Sequence, residues 1–168
     1  KVSTAAATIL DPQELLQQVA DLTKSSFNLY HAHIHLLDEN SQMLVLTAGA
    51  GEVGRKMVAE GRRIPLSAAG SLGASVARSV AGAIRNYVSP EEGFMPHPLL
   101  AATRSEMAVP IAIGSQVLGV LDVRSDQLNY FDESDLQTVT TLASQVAVAL
   151  QNARSYTRSE EAFQELQE

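Results

Sequence analysis

The chain has 168 residues, 45% of them apolar, with a formal charge of −7 and no cysteine. Size and hydrophobicity suit one globular domain with a single core, and the acidic balance lacks the basic footprint that carries nucleic-acid binding. Without cysteine there are no disulfides, thiolate metal sites, thiol nucleophiles or thioether-linked cofactors, so covalent bilin attachment is excluded and no cofactor is expected.

Residues 1–10 are Ala/Thr-rich and are read as a lead-in or the end of an upstream helix. Asp11-Pro12-Gln13-Glu14 then combines a cap, a proline at the first helical position and a glutamate closing a capping box. Leu15, Leu16, Val19, Ala20 and Leu22 follow at helical spacing, which predicts a helix over Pro12–Phe27 with one apolar face. Tyr30 to Leu37 alternates, placing His31, His33 and His35 on one strand face and Ala32, Ile34 and Leu36 on the other. After the polar turn Asp38-Glu39-Asn40-Ser41, Met43–Ala48 reads as the returning strand of a hairpin.

Gly49 to Gly61 carries a short helical pattern (Val53, Met57, Val58), Arg62–Leu66 is a brief extended piece, Ser71–Val80 a short helix and Ala83–Val88 a short strand. Ser89–Ala102 holds Pro90, Gly93, Pro96 and Pro98, and a loop of that length inside a compact domain is a site candidate. Met107, Val109, Ile111 and Ile113 alternate with small or polar residues, Gly114-Ser115 reverses the chain, and Val117–Val123 returns as a second hairpin. Asp132 caps a last helix whose seam is Leu136, Val139, Ala143, Val146, Leu150 and Ala153. No Gly or Pro stops it before Glu168, so residues 155–168 are read as its continuation towards another domain, with a seam that needs a partner. No run is long and apolar enough to span a bilayer and no signal-peptide pattern is present, so no direct membrane contact and a cytoplasmic setting are expected.

Two hairpins with helices at both ends make an α+β domain of three layers: a central antiparallel sheet, terminal helices on one face, short helices and loops on the other. From Pro98-Leu99-Leu100 and Thr103–Pro110, through Val117–Val123 and Phe131–Leu136, to Gln145–Arg154, the chain resembles the GAF family of sensory domains, over about residues 11–154. It looks most like GAF modules of bacterial multidomain signalling proteins of the sensor histidine kinase type. The resemblance implies a profilin-like sheet, a pocket under the middle segments and a non-catalytic regulatory role. It also implies an unidentified small-molecule ligand, paired terminal helices in a homodimer and an output domain outside this chain. Carried over from family geometry, the pocket residues are Arg62, Ser71, Tyr87, Phe94, His97 and Arg104. The chain departs from the usual pattern at Val80 and Gly82, where Gly then Pro is common, and at Tyr87, where Asp is frequent.

Other motifs have plainer readings. Gly49-Ala50-Gly51-Glu52-Val53-Gly54 matches GxGxxG, but no carboxylate stands at the position a dinucleotide ribose would need, so the glycines read as a strand-to-helix link. His31, His33, His35 and His97 could form a metal site, or His97 an axial haem ligand, although half-buried strands also accept imidazoles. Arg55, Lys56, Arg62 and Arg63 read as a solvated cluster, Ser105 as a hydroxyl satisfying the backbone, and Asn129–Glu133 as a helix start rather than a cyclic-nucleotide signature. The alternative to a sensor is a ligand-free domain that dimerises and spaces, distinguished by a middle face filled with side chains instead of a pocket of several hundred Å3.

Overall fold

The computed structural model describes residues 11–88 and 97–167. Helix α1 (Pro12–Ser26) starts where the sequence signals place it: Asp11 Oδ1 accepts from the Gln13 amide at 2.9 Å and Pro12 fills the first turn. Leu16, Ala20 and Thr23 face the sheet, but Leu22, expected on the same face, is 62% exposed. It sits about 120° around the helix from Leu16 and instead edges a groove between the two terminal helices.

Strands β1 (His31–Asp38) and β2 (Met43–Gly49) form the first hairpin, followed by α2 (Gly51–Ala59), β3 (Arg63–Pro65), α3 (Leu72–Ser79) and β4 (Ala83–Arg85). Strands β5 (Ser105–Ile113) and β6 (Gln116–Ser125) form the second hairpin, and α4 runs from Glu133 to Gln167. The sheet order is β3-β2-β1-β6-β5-β4 with every pairing antiparallel. The expected α+β architecture is therefore the observed one. Strand β4 is shorter than its apolar run because it is an edge strand; Val88 still donates to the Arg104 carbonyl, but the ladder proper ends at Arg85. Pro110 is tolerated in β5 because β4 reaches only to Ala108, leaving no partner for the amide that proline lacks. No described helix is long and apolar enough to cross a membrane.

Two bulges set which side chains face which layer. In β2, Ile34 lies opposite Ala48 while His35 lies opposite Leu46, so Thr47 is the extra residue. Leu44 and Leu46 consequently face the middle segments and Ala48 the terminal helices. In the β5–β6 pair the shift between Ile111 and Ala112 does the same for Val117 and Leu118. The main core lies between the sheet (Ala32, Ile34, Met107, Val109, Ile111, Leu121, Val123) and the terminal helices, with Val139, Ala143, Val146, Ala147 and Leu150 from α4. Smaller clusters pack α3 and α2 on the opposite face.

The start of α4 is a reciprocal cap: the Asp135 amide donates to Asp132 Oδ1 and the Asp132 amide to Asp135 Oδ2, both at 2.9 Å. Beyond Ala153 the helix leaves the core, and Tyr156, Phe163 and Leu166 are exposed. Val80, where the family commonly has Gly, closes α3 at φ 56°, a left-handed conformation costly for a β-branched residue.

The GxGxxG stretch joins β2 to α2 in an antiparallel sheet, which removes the parallel unit a dinucleotide needs. Its glycines serve close packing: a Cβ on Gly54 would lie 2.0 Å from the Gly49 carbonyl carbon. Alanine normally stabilises a helix interior over glycine by about 1 kcal/mol. Here the sign reverses, and Gly54→Ala is expected to destabilise the domain by about 3 kcal/mol, read as a lower urea midpoint.

Candidate functional site

The site follows from strand parity. Residues of β1, β5 and β6 that do not face the terminal helices must face α2, α3 and the turn at Pro98–Leu100. The polar ones among them are His31, His33 and His35 on β1, Glu106 on β5, and Asp122 and Arg124 on β6, all buried. Register brings them into rows: Arg124 lies opposite both His31 and Glu106, and Asp122 opposite both His33 and Ala108.

Arg124 holds the two acids. Its Nε donates to Asp122 Oδ1 at 2.9 Å and its Nη2 to Glu106 Oε2 at 3.1 Å. Burial raises the Asp122 carboxyl well above the usual carboxylate range, and the neighbouring Glu106 charge pushes it further. Burial opposes ionisation of Glu106 as well, but the Arg124 guanidinium and a hydrogen bond from Asp122 outweigh it and lower its pKa. Arg124 itself is held charged by both acids against the burial cost. Of the two acids, Asp122 thus favours its neutral form and Glu106 its carboxylate, paired with the Arg124 guanidinium.

The histidines line up beside this triad with successive ring centroids 5.0 Å apart, His31 and His33 tilted at 48° and His33 and His35 T-shaped at 80°. Burial and the nearby Arg124 charge drive His31 and His35 down to about 3; His33 is lowered well below its ordinary value by burial and by its two histidine neighbours. All are neutral imidazoles near pH 7. His33 Nε2 lies 3.9 Å from Asp122 Oδ1, beyond hydrogen-bond range. His31 Nε2, His33 Nδ1 and both ring nitrogens of His35 are buried without a hydrogen-bond partner.

Above the floor is a cavity of about 40 Å3. Of the residues expected at a pocket, Arg62, Ser71 and His97 stand on its wall. Ser71 caps α3 by accepting from the Ala74 amide at 3.1 Å. His97 accepts from the Leu99 amide at Nδ1, which leaves Nε2 to donate to Glu60 Oε1 at 2.8 Å and ties the Pro98 turn to the end of α2. Tyr87 is 63% exposed past the end of β4 and Arg104 is exposed before β5; neither lines the cavity. Phe94, and most of the proline-rich loop, lie outside the described residues.

Glu106, Asp122 and Arg124 are the charged wall residues that sequence reasoning missed. Their signal was an acid and a base two apart inside an apolar strand, a pattern that solvated strands do not need. Ser105 behaves as expected of a backbone-satisfying hydroxyl: it donates to Gln127 O at 2.6 Å and accepts from the Tyr130 amide at 3.2 Å. In the basic cluster, Arg55 pairs with Asp21 at 2.9 Å and Arg63 with Asp38 at 3.5 Å, while Arg62 turns to the cavity. Among the described residues no group of three or more His, Cys, Asp or Glu is placed to hold a metal ion.

This cluster sets the pH response. Below the ordinary histidine pKa of 6.5 the unfolded imidazoles take up protons that the native ones refuse, so stability falls with acid; Asp122, protonated when folded, works against this above 3.8. Between roughly pH 4.5 and 6 stability should therefore fall as the pH is lowered, with His31 and His35 taking up to about two protons on unfolding, a slope of up to about 3 kcal/mol per pH unit in urea melts. Asp122→Asn, which mimics the protonated acid, should change stability at pH 7 by less than about 1 kcal/mol, whereas Arg124→Leu should cost about 3–5 kcal/mol by stranding Glu106.

Comparison with known proteins agrees with this architecture. The chain is 28% identical over 129 residues to GAF domain-containing protein A of Dictyostelium discoideum, covering 76% of this chain and 73% of that protein. Among solved structures it resembles the GAF domain of an Acinetobacter phosphoenolpyruvate-protein phosphotransferase (TM-score 0.74, 22% identity, 94% of this chain and 92% of that one). It also resembles the free methionine-R-sulfoxide reductase of Neisseria meningitidis, solved with its substrate (TM-score 0.75, 23% identity, 92% and 86%). The family model described as GAF domain matches residues 9–151, and the chain therefore belongs to the GAF domain family.

Proposed function

We propose that this domain is a non-catalytic regulatory module that binds a small molecule in the cavity over β1, β5 and β6. It passes the bound state through the sheet to its terminal helices, which pair in a homodimer and lead to an output domain of a signalling protein, such as a cytoplasmic sensor kinase. The observation that carries the reading is the set of buried, unpartnered imidazole nitrogens on His33 and His35, both on the cavity wall. An unmade hydrogen bond on a buried polar group costs about 1–3 kcal/mol. A domain that only spaced its neighbours would gain by filling those positions with apolar side chains.

The GAF fold also carries an enzyme, the sulfoxide reductase among its structural relatives. This chain has no cysteine, so thiol-based reduction is not open to it, and among the described residues no imidazole is hydrogen-bonded to the Ser71 hydroxyl on the cavity wall, which instead caps α3. Transmission has a physical route because β1 serves both layers. His33 and His35 face the cavity while Ile34 between them packs in the main core with Val146 and Leu150 of α4. A ligand shifts the helices only by as much as it prefers one arrangement of that core.

The small cavity keeps the ligand-free spacer in view, since about 40 Å3 is far below the several hundred that large cofactors fill. Thermal unfolding against a panel of metabolites separates the two: a specific rise in midpoint is expected, and a uniformly flat panel selects the spacer. For the dimer, sedimentation at rising concentration should show association that a chain ended at Arg154 loses, because Tyr156, Phe163 and Leu166 lie beyond the last core residue, Ala153.

A further inference from the structure

The walls of the cavity have a one-sided chemistry that restricts what can enter. On the floor the Arg124 guanidinium is already engaged by Glu106 and Asp122, and the imidazoles favour their uncharged form. That leaves Arg62 as the cationic group on the wall whose side chain has no hydrogen bond or ion pair among the described residues. Facing the same space is the N-terminus of α3, through Gly70, Ser71, Leu72 and Gly73. The first amides of a helix have no intrahelical acceptor, and the Ser71 side chain satisfies only that of Ala74. The Leu72 and Gly73 amides remain to serve a ligand, at the positive end of the helix dipole. Gly73 keeps this approach open, its nearest neighbours to an added Cβ being the Val120 side chain at 3.7 Å and Ser71 Oγ at 3.9 Å.

The independent pointer to a ligand is His35, only 4% exposed, on the cavity wall, with neither ring nitrogen bonded. A neutral imidazole offers one donor and one acceptor, so its N–H is available to an acceptor in the cavity. Size completes the argument: at roughly 10–15 Å3 of this kind of volume per water-sized position, 40 Å3 admits about three such positions. A nucleotide or tetrapyrrole does not fit.

Resting on the reading of this domain as a ligand-binding module, we propose that the cavity takes a small planar monoanion, a short carboxylate or an oxyanion of similar size. Its oxygens are held by the Arg62 guanidinium, the Leu72 and Gly73 amides and the His35 N–H. One unpaired cationic side chain matches one negative charge, and a guanidinium matches two coplanar oxygens. A cation would meet Arg62 and the helix N-terminus with the wrong sign. A divalent anion would bring a second charge beside Glu106 with nothing to balance it.

The test titrates the full chain with acetate and with nitrate at constant ionic strength in a chloride background, following amide and imidazole nitrogen signals by NMR. Saturable shifts are expected at His35, Leu72 and Gly73. Arg62→Gln should weaken them roughly 10- to 100-fold, as loss of a charge-assisted bidentate contact implies. Arg63→Gln, at the neighbouring residue paired with Asp38 away from the cavity, should leave the affinity unchanged. Non-saturating shifts that chloride reproduces, or saturable shifts that survive Arg62→Gln, overturn the proposal. Should neither anion bind while another compound moves the same His35 signals, the anion class falls and the sensor reading stands. If nothing moves them, both fall.

Discussion

The contact on which the far side of this sheet depends is the guanidinium of Arg124 between Asp122 and Glu106. Three ionisable groups lie under α2 and α3 where an apolar cluster would be the cheaper solution, since replacing buried ion pairs by hydrophobic residues is often neutral or stabilising. Their arrangement keeps the region foldable because the charges cancel locally: one acid is ionised against the arginine and the other keeps its proton. With the floor neutral, three imidazoles can be buried beside it uncharged. A net negative charge there would favour their protonation instead.

That neutrality lets a single sheet serve two unlike layers. On one side it presents Ala32, Ile34, Val109, Leu121 and Val123 to a continuous apolar core under α1 and α4. On the other, the intervening residues are polar at the centre and apolar only at the periphery, where Leu44, Ala108 and Val120 receive α3. The bulges at Thr47 and near Ala112 keep this division consistent by shifting strand phase where a strict period of two would put Leu44 and Leu46 among the terminal helices.

Most of this architecture was legible in local sequence. Caps at Asp11 and Asp132, the alternation in β1 and β5, and the turn at Gly114 each rest on neighbours within a few residues, and the elements they predict are the ones observed. The exposed side of Leu22 was not, because α1 has apolar residues around more of its circumference than the sheet covers. The cavity was legible only in part. Arg62, Ser71 and His97 came from a family likeness, and the histidine face came from parity, but Glu106 and Arg124 are 18 residues apart and meet only through the β5–β6 register. Tyr87 and Arg104 share the parity of wall residues yet stand outside the cavity, because parity fixes the side of a sheet and not whether anything covers it.

The two faces differ in how they can respond to a bound molecule. The main core is close-packed and apolar, so it yields in discrete rearrangements, whereas the cavity floor holds hydrogen-bond capacity that the native chain leaves unused. A ligand that satisfied His35 would gain most by fixing β1 against β6, and those strands meet where Gly119 has no side chain because a Cβ would lie 2.3 Å from the His35 carbonyl oxygen. Movement of His35 therefore bears directly on the β6 backbone, and through Leu121 on the helix layer. A ligand could move α4 only by its differential affinity for two arrangements of the core, to which those unsatisfied imidazoles would contribute one part. Satisfying both ring nitrogens of His35 is worth about 2–6 kcal/mol at about 1–3 each, against about 5.5 kcal/mol to turn a 1:99 equilibrium into 99:1.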